Sequence, residues 1–367
     1  MAGSSFGRLF RISTWGESHG KAVGVVVDGC PAGLPLTEAD IQACLDMRKP
    51  GQSSVTTQRK ESDTVEILSG TFEGLTTGTP ISMIVRNTSA RSGDYSEIAH
   101  CYRPGHADYT FDMKYGFRDY RGGGRSSARE TIGRVAGGAV ALKILEACGI
   151  SVTAYTSAIG PVCVDKAAFD AAEIFRNPVY MPDKAAAEAA MALILDCREK
   201  QDSVGGVIEC LISHVPAGLG EPVFDKLSAD LAKAICSIGA VKGFEIGDGT
   251  LAAKAFGSQN NDPFAIDEDG SVIKKTNHSG GLLGGISDGS DIILRAHVKP
   301  TPSIFREQQT VSDDGRPVTL SIKGRHDPVV VPRAVIVVKC MAALVIADAL
   351  MANMTARMDY LTDFYRK

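Results

Sequence analysis

The tetrapeptide Pro-Ala-Gly-Leu occurs twice, at Pro31–Leu34 and at Pro216–Leu219, each time just after an apolar run and shortly before a helical one. The first run, Ala22–Val27, reads as a strand, and Thr37–Met47 as a helix with Thr37 at its N-cap and Asp40 three residues on. In the second copy Val207–Ile212 is the strand and Phe224–Ile238 the helix, with Asp225 in the place of Asp40. Gly74-Leu75 before Ile81–Val85 likewise matches Gly281-Leu282 before Ile292–Ala296. Two readings stand side by side: a duplicated strand-helix-strand unit, or one kind of turn chemistry used twice.

Helices are expected over Ala128–Ala147 and Asp183–Glu199, and no Pro/Gly/Ser-rich linker separates two bodies. The whole chain, 1–367, is therefore read as a single catalytic domain. Strands come as short runs split by glycine turns rather than in regular strand-helix alternation, which predicts an α+β layered fold and not a doubly wound parallel sheet. Gly122-Gly123-Gly124 lacks the G-x-G-x-x-G spacing and follows no apolar strand, so it is no dinucleotide fingerprint. The most apolar late segment, Val329–Met351, is interrupted by Lys339 and Asp348 within a bilayer's depth and reads as an amphipathic core helix, not a membrane span.

A net charge of -4 with 39 basic residues excludes a general nucleic-acid or membrane-surface footprint, which needs a net positive field. Nine cysteines without a C-x-x-C pair read as reduced core thiols in a cytoplasmic protein. Met1–Gly20 holds no apolar core of signal-peptide length, so neither secretion nor import is expected.

Several short clusters point to chemistry on an anionic, phosphorylated small molecule. Gly16-Glu17-Ser18-His19-Gly20 sets an imidazole, which titrates near neutrality, between glycines; a backbone-bonded turn histidine would look the same. In Arg103-Pro104-Gly105-His106 the central Pro-Gly fits a type II turn, bringing a guanidinium and an imidazole together. Asp108 and the aromatic series Tyr109, Phe111, Tyr115, Phe117 and Tyr120 predict partial burial there.

Arg121-Gly122-Gly123-Gly124-Arg125-Ser126-Ser127-Ala128-Arg129-Glu130 runs a glycine loop into a helix start, a place where N–H groups and arginines can meet an anion. Ser127 and Glu130 also spell a capping box, which would use some of those N–H groups. Arg48 at the end of the first helix can add a cation. Lys299-Pro300-Thr301-Pro302-Ser303 is a stiff polar stretch that can hold a ligand's oxygens or form a proline-rich edge. In Gly324-Arg325-His326-Asp327-Pro328 an extended backbone would put Arg325 and Asp327 on one side. The seven histidines lack metal-ligand spacing, so no metal is expected.

Taken in chain order, GESHG from residue 16, RPGHADYT from 103, DYRGGGRSSARETIGRVAGG from 119, DSVGG from 202, VPAGLGEPVFDKLSADLAKAI from 215, NHSGGLLGGISDG from 277, KPTPSI from 299 and GRHDP from 324 resemble the chorismate synthases over essentially the whole chain. The resemblance implies helices layered between two antiparallel sheets and a homotetramer. It implies a trans-1,4 elimination of phosphate from 5-enolpyruvylshikimate 3-phosphate, requiring reduced FMN with no net redox change. NADPH, or a separate flavin reductase, would supply the reduced flavin.

By position, His19 matches the histidine that protonates the departing phosphate, and His106 the one that protonates the reduced flavin near N1. Asp327 matches the aspartate that helps take up a proton through flavin N5, which fits a carboxylate held next to Arg325 and so kept ionised. For FMN the resemblance points to Arg125, Ser126, Ser127, Ala240, Gly284, Lys299, Thr301, Ser303 and Arg325, with Pro300 and Pro302 in the same stretch and Gly239 where relatives often carry asparagine. For substrate it points to Ser18, Arg48, Arg103 and Arg129. Ser54, where many relatives have arginine, and Ile336 and Lys339, where they often have proline and glutamate, are departures; the first bears on a nicotinamide contact, the other two on packing or assembly.

Overall fold

The computed structural model describes residues 3–49, 51, 62–88, 99–322 and 327–366; Ser54, Gly324, Arg325 and His326 lie outside them. The first half is built on β1 (Ser5–Phe6), β2 (Arg11–Gly16), β3 (Ala22–Asp28), β4 (Val65–Ile67) and β5 (Ile81–Arg86). They form one antiparallel sheet in the order β1-β2-β3-β5-β4. The continuous Val/Ala run of β3 is buried along nearly its whole length, as a central strand demands.

Helix α1 (Glu38–Arg48) follows β3. Thr37 closes a capping box with Asp40, whose carboxylate accepts from Thr37 N at 2.8 Å and from Thr37 Oγ1 at 2.7 Å, as read from the sequence. Asp40 also takes Lys143 at 3.2 Å, fastening α1 to a later helix.

After α2 (Asp108–Tyr115) and α3 (Thr131–Ala147), the second half is built on β6 (Ser151–Ile159), β7 (Val162–Cys163), β8 (Gly206–Ser213), β9 (Val241–Ile246) and β10 (Ile292–Val298). Their antiparallel order is β9-β10-β8-β6-β7. Helices α4 (Lys184–Glu199), α5 (Leu227–Cys236) and α6 (Val331–Asn353) complete the frame. Helix α3 packs on β3 and β2, α6 packs on β6 and β8, and α3 and α6 pack on each other. The core is continuous through both halves.

The two tetrapeptides are used identically. Thr76 Oγ1 donates to Pro31 O at 2.6 Å and accepts from Leu34 N, while Gly33 N donates to Thr76 O. In the second half Ser287 Oγ donates to Pro216 O at 2.6 Å and accepts from Leu219 N, while Gly218 N donates to Ser287 O. The strands beyond share register: Val25 faces Met83 and Val27 faces Ile81 in one sheet, Cys210 faces Leu294 and Ile212 faces Ile292 in the other.

Four expectations need correction. Helix α5 begins at Leu227, so Asp225 lies outside it, reaches Arg8 at 3.4 Å instead of capping, and is no counterpart of Asp40. The segment expected to start a helix at Ala128 opens with a 3-10 turn, and α3 proper starts at Thr131. Helix α6 is not amphipathic but buried almost all round, 72% of its most apolar window lying inside the protein, because it sits between α3 and the second sheet. It is long and apolar enough by composition to cross a membrane, yet that burial is what a core helix shows. The aromatics after His106 are largely exposed (Tyr109, Tyr115, Phe117, Tyr120), since eight-residue α2 buries only Asp108.

Candidate active site

Between β2 and β3 the chain turns at Glu17–Gly20, closed by Gly20 N donating to Glu17 O at 3.1 Å. Ser18 is buried there and its Oγ lies 3.2 Å from His19 Nδ1. At the other wall Arg103–His106 forms the anticipated turn: His106 N donates to Arg103 O at 3.2 Å, and Gly105 has φ +68°. Arg103 Nη2 lies 3.0 Å from His106 Nδ1, and its guanidinium grips buried Asp108 at 2.8 and 2.7 Å. Burial alone would raise the Asp108 carboxyl, but hydrogen bonds from Arg103 and His106 outweigh it and hold the group well below the usual carboxylate range.

The glycine loop stands between the two imidazoles. Gly122, Gly123 and Gly124 have φ of +66°, +87° and +54°, a region that other residues enter at a cost. A Cβ on Gly122 would lie 2.2 Å from His19 Cε1, and one on Gly123 would lie 2.9 Å from His106 Cε1. The triple glycine is thus required by backbone conformation and by the close approach of both rings, more than by display of N–H groups. Ser126 N and Ser127 N already donate to Gly123 O and Gly124 O. The capping box does not close: Ser127 Oγ accepts from Arg129 N at 3.3 Å, while Glu130 turns to Arg134.

The three arginines of this loop take separate tasks. Arg121 pairs with Asp119 at the surface. Arg125 is bonded to β2, with Nη2 2.7 Å from Thr14 Oγ1 and Nη1 3.1 Å from Gly16 O. Arg129 is buried and donates to Asp63 Oδ1 at 2.9 Å and to Asn87 Oδ1 at 2.5 Å. Asp63 Oδ2 accepts from Arg48 Nη1 at 2.7 Å, so one buried carboxylate sits between two buried guanidiniums. Arg48 also donates to Thr131 Oγ1 and Ala128 O. Burial and the nearby Arg333 push the Arg48 guanidinium down to about 10.

The expected neighbour of Asp327, Arg325, lies outside the described residues; among those described, Arg333 Nη1 donates to Asp327 at 2.5 Å and Arg333 Nε donates to Arg48 O. Among the described residues, Arg48, Arg129 and Arg333 thus gather around the carboxylates of Asp63 and Asp327.

The 299–303 segment leans on the Arg103–His106 turn. Lys299 Nζ donates to Gly105 O at 2.6 Å, Lys299 N donates to Ala240 O at 2.9 Å, and a Cβ on Gly105 would lie 3.1 Å from Pro302 Cβ. Pro300 packs by Gly205, Ser203 Oγ donates to Thr301 O, and Ser303 is buried. Burial, with Lys242 nearby, pulls the Lys299 ammonium below its ordinary value.

Ser18, His19, Arg103, His106, Lys299 and Ala240 are thus linked around the glycine loop, and Arg48, Arg129 and Asp327 form the adjoining charge cluster. Gly239 borders open space. Gly284 belongs to a hairpin turn over the 216–227 loop, and none of its described contacts reaches the histidines. Sequence reasoning missed Asp63, Asn87 and Arg333. A buried arginine pair needing a counterion was the signal for an acid such as Asp63; for Asn87 there was none. Among the described residues no group of three or more His, Cys, Asp or Glu is placed to hold a metal.

Buried guanidiniums that can take up the charge of a phosphate stand beside two imidazoles that can move protons, on a mixed α and β frame, an arrangement suited to an enzyme acting on a phosphorylated small molecule. The chorismate synthase family model matches residues 10–351. Chorismate synthases of Agathobacter rectalis, 64% identical over 100% of both chains, and of Chloroflexus aggregans, 57% identical over 98% of both, are similar throughout. A crystal structure of a chorismate synthase superposes with a TM-score of 0.75 at 33% identity, covering 98% of this chain and 97% of the other. The chain belongs to the chorismate synthase family, and is a carbon–oxygen lyase acting on a phosphate ester.

Proposed function

We propose that this chain eliminates phosphate from 5-enolpyruvylshikimate 3-phosphate in a trans-1,4 sense to give chorismate, with reduced FMN required and regenerated. The observation that carries this reading is the glycine partition at 122–123, with His19 on one residue and His106 on the next, beside the Arg48–Asp63–Arg129 cluster.

The guanidiniums of Arg48, Arg129 and Arg333 neutralise the phosphate as it departs, which a low-dielectric pocket does more strongly than water. His19 gives that phosphate its proton. His106 Nδ1 is occupied by Arg103 Nη2 at 3.0 Å and Asp108 Oδ1 at 3.2 Å, which leaves Nε2, on the Gly123 side, as the nitrogen through which a proton is passed on. Asp327, held by Arg333, serves as the proton acceptor.

Residues present fit a flavin: Thr301 Oγ1 is buried without a hydrogen-bond partner among the described residues, and Lys299 and Ser303 stand beside it in the chain. Lys299, Thr301, Ser303 and the 125–127 loop would hold FMN, with Gly239, Ala240, Pro300 and Pro302 as further walls. When bound, reduced FMN supplies electron density that is returned by the end of each turnover.

The same reading holds the chain to be a cytoplasmic homotetramer. Exposed Phe264, Ile266 and Val272 on one hairpin are apolar surface that subunit contact would cover. It also takes the frame as a single domain, a helical layer between two sheets produced by internal duplication, supported by the matched registers and the Thr76 and Ser287 bonds.

The test is anaerobic phosphate release from 5-enolpyruvylshikimate 3-phosphate with dithionite-reduced FMN, for the wild type and for His19→Ala, His106→Ala and Asp327→Ala. Fast release by the wild type with large losses in the variants is expected. No release by folded wild type would overturn the reaction, and unimpaired variants would overturn the residue roles.

A further inference from the structure

Asn87 follows β5 directly and joins the two parts of the site. Its Nδ2 donates to Glu17 O at 3.0 Å and to Gly20 O at 2.8 Å, the carbonyls that bracket Ser18 and His19. Its Oδ1 accepts from Arg129 Nε at 2.5 Å, and its backbone N donates to Lys21 O at 3.1 Å. Both amide hydrogens and the amide oxygen are engaged. The orientation is unambiguous, because a flipped amide would set NH2 against a guanidinium and an oxygen against two carbonyls.

We propose that Asn87 is a positioning residue that makes the place of His19 depend on Arg129, so that the proton donor is set correctly when the guanidinium engages the substrate's anion. This rests on the proposed roles of His19 and Arg129. An ordinary turn staple would need only the two carbonyl bonds; the third bond, to a buried guanidinium of the charge cluster, links turn and cluster.

Two substitutions separate the two arms of the amide. Asn87→Asp keeps an acceptor for Arg129 but turns a carboxylate oxygen toward the Glu17 and Gly20 carbonyls, releasing the loop. Asn87→Ala removes both arms. Displacement of a reacting group by about 1 Å can cost about a hundredfold in rate. Steady-state phosphate release should therefore show Asn87→Asp losing about ten- to a hundredfold in kcat with KM within about twofold. Asn87→Ala should lose similarly in kcat and raise KM about tenfold, the effect of losing a hydrogen bond to a charged group.

His19→Ala and Arg129→Lys are measured alongside. If His19→Ala is crippled while Asn87→Asp keeps its kcat, or raises KM alone, the coupling is overturned and the roles of His19 and Arg129 stand. If His19→Ala turns over normally, the underlying roles fail first and the coupling with them. Should Asn87→Asp fail to fold, amide hydrogen exchange at residues 18–20 in Arg129→Lys decides: faster exchange than wild type supports the link, and unchanged exchange overturns it.

Discussion

Replacing Gly122 by alanine tests whether the glycine loop is a partition between two rings. The added Cβ would stand 2.2 Å from His19 Cε1, 2.3 Å from Nδ1 and 2.9 Å from Ser18 Oγ. Ordinary contact begins at 3.4 Å, so the imidazole must retreat by at least about 1 Å, a shift that can cost about a hundredfold in rate. The backbone at φ +66° adds about 1–2 kcal/mol of instability for a residue with a Cβ.

Gly149→Ala supplies the comparison, since Gly149 has φ +73° and nothing within 4 Å of an added Cβ. It should lose the same stability and keep its activity. The assay is phosphate release together with urea unfolding for both variants. A Gly122→Ala enzyme with wild-type kcat and only the stability loss of Gly149→Ala would refute the partition argument.

Asp108→Asn should destabilise by about 3–5 kcal/mol at pH 7, because Arg103 is left buried without its counterion. The native carboxyl lies below its unfolded value of about 3.9, so its contribution is complete above that pH and is lost as pH falls toward the native value. Urea unfolding at pH 7 and pH 3 should therefore show a smaller gap between variant and wild type at pH 3. Asp63→Ala leaves Arg48 and Arg129 facing each other and should cost about 3–5 kcal/mol, read as a lower urea midpoint. Ala240 holds φ +73°, so Ala240→Gly should raise stability by about 1 kcal/mol, visible as a higher Tm in calorimetry.

What could be read in advance was local. Periodicity placed Ala22–Val27, and Thr37 with Asp40 marked a helix start, because both signals live within a few residues. The Pro-Gly turn at 104–105 was equally legible. Asp63, Asn87 and Arg333 were not: Asp63 and Asn87 find their side-chain partners 15 to 70 residues away, and Arg333, though six residues from Asp327, also reaches Arg48 285 residues back. The buried α6 was misjudged for a related reason: Lys339 and Asp348 look like a polar face, yet Asp348 accepts from the backbone N–H groups of Arg8, Leu9 and Phe10. The triple glycine was noticed, but its cause, two rings from distant turns, appears only once the chain is folded.

Helix α3 meets α6 at Gly138, where a Cβ would strike Cys340 Cβ at 2.3 Å and Cys340 Cα at 2.8 Å. His19 hangs from the first sheet and Lys299 from the second, so this seam acts as the hinge pin of a pair of calipers whose tips are the working groups. A single methyl at Gly138 would open the jaws. Such a variant would show the kinetics of a damaged catalytic centre while every side chain around the histidines kept its identity, and a search for the fault among the catalytic residues would look at the wrong end of the tool.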